Sequence, residues 1–249
     1  MPGMPAPAAG RTPLPTPLAR ATPRNATDTP PMDKTSLSLL LSCLLGYLLG
    51  SVPWGLLIGF LNHVDIRTKG SKNIGSTNVT RILGGGWGKV CFVLDFLKGY
   101  MGVFLGAWLA GKLGSPALSM AKLLGGGCAI LGHICPVWLR FRGGKGVATG
   151  AGAALALAFW PVILGLLLWL FLQLRTGIVA IASLGAAGAV FLFSLLFQAF
   201  GWEEIGWPVV ALIAAMTALI VYRHKENIQR LMEGKENSFK KQKEKPAAR

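Results

Sequence analysis

Charge is scarce in this 249-residue sequence: Asp, Glu, Lys and Arg make up only 14% of it, and long runs carry no charge at all. That is the profile of a polytopic, all-α integral membrane protein. Cysteine is also sparse. Cys43, Cys91, Cys128 and Cys135 sit in apolar context without Cys-x-x-Cys spacing, so they read as buried small hydrophobes rather than disulfides or metal ligands. No metal-ligand cluster and no Ser-His-Asp set with a nucleophile elbow occurs, so neither a metal nor another cofactor is expected. The charge that is present is lopsided, a formal +15 carried almost entirely by loops and tail. It suits anionic lipid headgroups or an anionic substrate. Nucleic acid is not an expected partner, because the basic residues are not interleaved with exposed aromatics on a soluble domain.

Residues 1–33 hold nine of the fifteen prolines and show no apolar period, so they are expected to form an extended or disordered arm. The arm lacks the apolar core of a signal peptide. Residues 34–236 are assigned to the membrane domain and 237–249 to a basic tail. Apolar spans are expected near 37–61, where Pro53 should kink the helix, and near 90–110, 117–136, 147–174, 177–200 and 207–222. Six crossings would put the basic loop at 67–89 and the basic tail on opposite sides, against the positive-inside rule. Segment 147–174 exceeds the about 20 residues one crossing needs and is interrupted at Trp160-Pro161. Splitting it there gives seven transmembrane helices, N-terminus out and C-terminus in. Asp95 and Lys98, three apart on one face of the second span, read as a mutual structural pair.

Three polar stretches then share one side of the membrane. Residues 69–81 are rich in hydroxyls, amides and glycines flanked by Lys and Arg, suited either to one bound anion or to lipid phosphates. Residues 139–149 contain Gly143-Gly144-Lys145-Gly146 after Arg140 and Arg142, with a helix expected to open at Val147 and offer its N-terminal N–H groups to an anion. Lys145 is followed by Gly146 and no glycine fills the required upstream position, so this is not a Walker A loop and nucleotide is excluded. Residues 223–236 put His224 and Asn227 three apart on one helical face. His63 and His133 read as structural. The inventory binds phosphate without supplying a strong nucleophile, and it includes no His-x-x-x-x-Asp pair of the CoA-dependent acyltransferases. It suits an already activated substrate. A membrane transporter or binding protein for a phosphorylated small molecule is the alternative.

The motifs Gly-Ser-Val-Pro-Trp-Gly at 50–55, Gly-Ser-Lys-Asn-Ile-Gly-Ser-Thr-Asn-Val-Thr-Arg at 70–81, Gly-His-Ile-Cys-Pro-Val-Trp-Leu-Arg-Phe-Arg-Gly-Gly-Lys-Gly-Val-Ala-Thr at 132–149 and Arg-His-Lys-Glu-Asn-Ile-Gln-Arg-Leu-Met-Glu-Gly-Lys-Glu at 223–236 resemble those of the bacterial acyl-phosphate:glycerol-3-phosphate acyltransferases, the PlsY family. The resemblance implies a seven-helix enzyme of the bacterial inner membrane, its active site facing the cytoplasm. Such an enzyme moves a fatty acyl group from acyl phosphate to the sn-1 hydroxyl of glycerol 3-phosphate, giving lysophosphatidic acid and inorganic phosphate. Its partners would be the two substrates, the bilayer and the enzyme that makes acyl phosphate. By motif, Ser71, Arg81 and Lys145 fall on phosphate-contacting catalytic positions, and His224 and Asn227 on the family's functional pair. Glu236 falls on a structural acid. Gly70, Asn73, Gly75, Thr77, Asn78, Gly143, Gly144, Gly146, Thr149 and Ser183 are candidate substrate- and phosphate-binding residues. Lys72 replaces the family's usual glycine, Arg142 its usual lysine, and Ala180 the serine usually found near Ser183. The proton acceptor is expected to be the substrate's own phosphate rather than His224.

Overall fold

The computed structural model describes residues 32–239 and Gly3. Apart from Gly3, Met32 and Asp33, the arm assigned to 1–33 lies outside the described residues, as does the tail from 240. From Asp33 onward the described chain is helical, with no strand among the described residues. Its elements are α1 (Lys34–Ser51), α2 (Trp54–Leu61), α3 (Ser76–Leu83), α4 (Gly85–Leu113), α5 (Leu118–Ile134), α6 (Val147–Leu155), α7 (Phe159–Thr176), α8 (Val179–Phe200), α9 (Trp207–Arg223) and α10 (Lys225–Met232). Among the described residues five helical stretches are long and apolar enough to cross a membrane, or six if α9 and α10, bent by 57° at His224, count as one.

Each boundary has a local cause. Asp33 caps α1, its Oδ1 accepting the N–H groups of Thr35 and Ser36 at 2.8 and 3.0 Å. The expected kink falls at Val52-Pro53, where the proline cannot donate and the helix restarts as α2. The break in 147–174 is a correction. It lies at 156–158, not at Trp160-Pro161, because Pro161 occupies the first turn of α7, where an N–H has no intrahelical partner to lose. Glu203, from the α8–α9 turn, accepts the N–H groups of Phe159 and Trp160 at 2.8 and 3.2 Å and fixes where α7 begins.

Without a hydrophobic drive between helices in lipid, small residues that let backbones approach supply the packing. A methyl at Gly46 or Gly50 on α1 would collide with the carbonyl of Gly125 or Ala129 on α5, and one at Gly106 on α4 with that of Ala121. The α1, α4 and α5 backbones therefore lie in direct contact. This bundle brings to one end the α2–α3 loop, the α5–α6 loop, the α7–α8 turn and the segment after α9. The α8–α9 turn, with Glu203 and Glu204, lies at the other end beside the start of α7.

Candidate active site

The loop between α2 and α3 is shaped from inside by Asn78. This residue is 1% exposed. Its Nδ2 donates to the carbonyls of Ile66, Lys69 and Asn73 at 3.0, 3.2 and 2.9 Å, while its Oδ1 accepts the Ser71 N–H at 2.9 Å. Asn73 Oδ1 in turn accepts the Gly75 N–H at 2.9 Å. Lys72 adopts φ 57° and Gly70 φ 58°. A left-handed backbone at Lys72 is the physical reason a glycine suits that place. The loop delivers Ser71, Asn73, Gly75, Thr77 and Arg81 to one cavity.

The second loop is anchored by its glycines. Gly143 and Gly144 donate their N–H groups to the carbonyls of Ile134 and His133 at 3.0 and 3.1 Å, and their own carbonyls accept from Arg223 Nη2 at 3.0 and 3.1 Å. These two N–H groups are therefore spent on the protein and not offered to an anion, which corrects the expectation for Gly143 and Gly144. A side chain at either would strike the His133 carbonyl or imidazole. Lys145, Gly146, Val147 and Ala148 continue from this anchor into the cavity wall at the start of α6.

The third contribution comes from the bend at His224. Its Nδ1 lies 2.8 Å from the Ile220 carbonyl. A carbonyl only accepts, so Nδ1 carries the proton and a neutral ring presents Nε2 as an acceptor. Asn227, one turn on, accepts from Lys145 Nζ through Oδ1 and donates through Nδ2 to Glu236 at 2.9 Å. Glu236, 7% exposed, also takes a hydrogen bond from Arg230 at 2.8 Å. Phe239 lies under the Arg81 guanidinium at 5.6 Å, and its N–H donates to the Gly177 carbonyl.

Side chains from all three contributions line a cavity with about 790 Å³ of empty space, its open mouth included. His224, Asn227, Lys145, Ser71, Arg81, Ser183, Glu236 and Asp95 all border it; Gly70, Gly143, Gly144, Thr149 and Lys98 do not. Burial pushes the Lys145 ammonium down to about 8, against the pull of Glu236 and with the repulsion of Arg230 and Arg81. Burial first, then the Lys145 charge, pushes His224 down to about 4. Arg81 is lowered by burial as well. An anion would relieve this crowding of cations.

Sequence reasoning missed Trp169, whose Nε1 donates to Ser183 Oγ at 3.3 Å. Inside an apolar helix a tryptophan carries no motif that would single it out. Trp169, Ser183, Phe92 and Val147 also border a second, mostly apolar groove of about 640 Å³ that runs on among Val162, Leu166, Val190, Ile213 and Met216. The cavity thus has a polar, cationic end and a greasy continuation.

A family model described as glycerol-3-phosphate acyltransferase matches residues 40–234. The chain is 40% identical over 205 residues to a glycerol-3-phosphate acyltransferase of Aquifex aeolicus (strain VF5), covering 82% of this chain and the whole of that relative. It is 42% identical over 198 residues to one of Desulfotalea psychrophila, covering 80% and 96% of the two chains. Two solved structures also resemble it: PlsY (YgiH), an integral membrane glycerol 3-phosphate acyltransferase, in its glycerol 3-phosphate form and in its lysophosphatidic acid form. Their TM-scores are 0.71 and 0.70 at 39% identity, covering 81% of this chain and 96% and 95% of theirs. The chain belongs to the glycerol-3-phosphate acyltransferase family.

Proposed function

We infer that this protein is an enzyme that transfers a fatty acyl group from acyl phosphate to the sn-1 hydroxyl of glycerol 3-phosphate. The products are lysophosphatidic acid and inorganic phosphate. The observation that carries this reading is one cavity in which Ser71, Arg81, Lys145, His224 and Asn227 meet, continuous with an apolar groove between α6, α7, α8 and α9. Two phosphates need cations, and a fatty chain needs the groove.

An acyl phosphate is a mixed anhydride with a good leaving group. The protein therefore has to align the two substrates and relieve the repulsion between their phosphates. The glycerol hydroxyl oxygen bonds to the acyl carbon as the bond from that carbon to the phosphate oxygen breaks. The hydroxyl proton passes to an oxygen of the departing phosphate. Lys145, Arg81, Ser71 and the N–H groups at the start of α6 hold phosphate oxygens, while His224 and Asn227 orient their neighbours. A neutral His224 whose pKa lies near 4 is a weak base at neutral pH, which supports the substrate phosphate as acceptor. The acyl chain lies along the groove past Trp169, entering from the lipid.

Seven crossings, with the site end in the cytoplasm of a bacterial inner membrane, fit this reading. Helix α6 starts at Val147, just after Gly143 and Gly144 bind Arg223 at one end of the bundle, and the chain has reached the Glu203 end by Phe159. That course supports counting this nine-residue helix with its short turn as a passage, although its length is below that of an ordinary crossing. The basic residues of the 67–81, 140–145 and 223–235 segments then lie inside and Glu203-Glu204 outside, as the positive-inside rule asks.

Purified protein incubated with acyl phosphate and labelled glycerol 3-phosphate should release lysophosphatidic acid and inorganic phosphate in equal amounts without CoA or acyl carrier protein. No lysophosphatidic acid from folded protein that still binds phosphate would sink the enzyme reading.

A further inference from the structure

Beneath the Gly143–Gly146 loop, with Asp95 and His133 also on the cavity wall, lies a buried ionisable cluster that the chemistry above does not use. Asp95 and Lys98 on α4 and His133 on α5 are 2%, 3% and 5% exposed. Lys98 Nζ sits 2.8 Å from Asp95 Oδ1 and donates to the Val52 carbonyl at 2.9 Å, at the break between α1 and α2. His133 Nδ1 lies 3.5 Å from that same Asp95 oxygen. The ring's other nitrogen faces the loop: a Cβ on Gly144 would run into His133 Nε2, and the Gly144 N–H already donates to the His133 carbonyl. Gly144 is thus seated on the imidazole, and Lys145 follows it into the cavity.

A mutual Asp95–Lys98 pair would neutralise itself and need no third partner. Burying charge in a span costs at least about 2.5 to 3.5 kcal/mol per group, so a third ionisable side chain in the cluster calls for a reason. Its position supplies one, because the cluster joins the α1–α2 break, α4 and α5 to the underside of one loop residue.

We propose that Asp95, Lys98 and His133 form a strut that sets the height of the phosphate loop, with His133 a positioning residue that acts through Gly144 on Lys145. The proposal rests on reading that loop as a substrate-phosphate site, and the test separates the two. Purified Lys145→Met, His133→Phe, His133→Asn and the double variant His133→Phe/Lys145→Met are compared with the parent protein. Measured for each are KM for both phosphate substrates, kcat and the melting midpoint.

His133→Phe keeps a ring beneath Gly144 but loses the nitrogen facing Asp95, whereas the His133→Asn amide keeps a donor near the Nδ1 position. The expected result is that His133→Phe raises by about tenfold the KM of the same substrate whose KM Lys145→Met raises, with kcat changed by less than about threefold. His133→Asn should be milder, and the double variant no worse than Lys145→Met alone, since both changes act on one interaction. An unchanged KM, a fully additive double variant, or failure of both His133 variants to fold would overturn the strut, the last by assigning the cluster to the fold alone. If Lys145→Met itself leaves both KM values and kcat untouched, the phosphate-site reading of the loop falls, and the strut with it.

Discussion

Lys145 is held in a place that disfavours its own charge, and that sets a pH limit. Its ammonium is protonated below about 8 and neutral above, so kcat/KM should fall as pH rises through about 8. Lys145→Arg keeps a cation at every working pH and should move that alkaline limb upward, even where the bulkier guanidinium lowers the rate; a pH–rate profile of the two proteins checks this. His224 gives the complementary prediction. A general base contributes about 10² to 10⁴-fold, so His224→Gln should keep kcat within about tenfold of the parent if the substrate phosphate takes the proton. A loss of a hundredfold or more across the whole range above about pH 4, where the imidazole is neutral, would instead make it the base. Neither the burial of Lys145 nor the Ile220 partner of His224 was visible in the sequence, where both residues appear merely as members of polar stretches. Residue types were legible; their protonation was not, because desolvation is a property of what packs around them.

Helix contacts show how finely the elements are fitted. Gly50 touches the Ala129 carbonyl of α5 with no room for a methyl, whereas Gly111, near the end of α4, has nothing within 4 Å of a Cβ. Gly50→Ala should therefore cost about 1 to 3 kcal/mol through backbone displacement and lower the melting midpoint. Gly111→Ala should leave it unchanged or raise it, since alanine favours a helix. Melting curves of the two variants in the same detergent give the comparison. Both glycines look alike in sequence, each in an apolar run. The α2–α3 loop shows the same limit: 70–81 announced a polar loop rich in hydroxyls, but not that Asn78 would spend its amide on Ile66, Lys69, Asn73 and Ser71 instead of on a ligand.

At the scale of the whole molecule the expected arrangement is seven passages with the cationic cavity in the cytoplasm. In a background without the four native cysteines, Glu204→Cys should react with an impermeant maleimide added to intact cells, and Lys235→Cys only after permeabilisation. The reverse pattern would invert the orientation. Apolar run lengths, the scarcity of acidic residues and the placement of Lys and Arg determined by themselves that this chain is a helical membrane protein, where most of its helices lie and which polar loops join them. Those features depend on transfer to lipid and on local backbone chemistry, both of which act on contiguous stretches of chain. The loop at 139–149 shows where that reach ends. Its glycines read as phosphate-binding candidates, yet the N–H groups of Gly143 and Gly144 are bonded to the carbonyls of Ile134 and His133. Only the tertiary structure decided that Lys145 would face Asn227, that Trp169 would border the groove, and that His133 would lie under Gly144 beside Asp95. Those juxtapositions join residues far apart in the chain, and they follow from which helix backbones can approach one another.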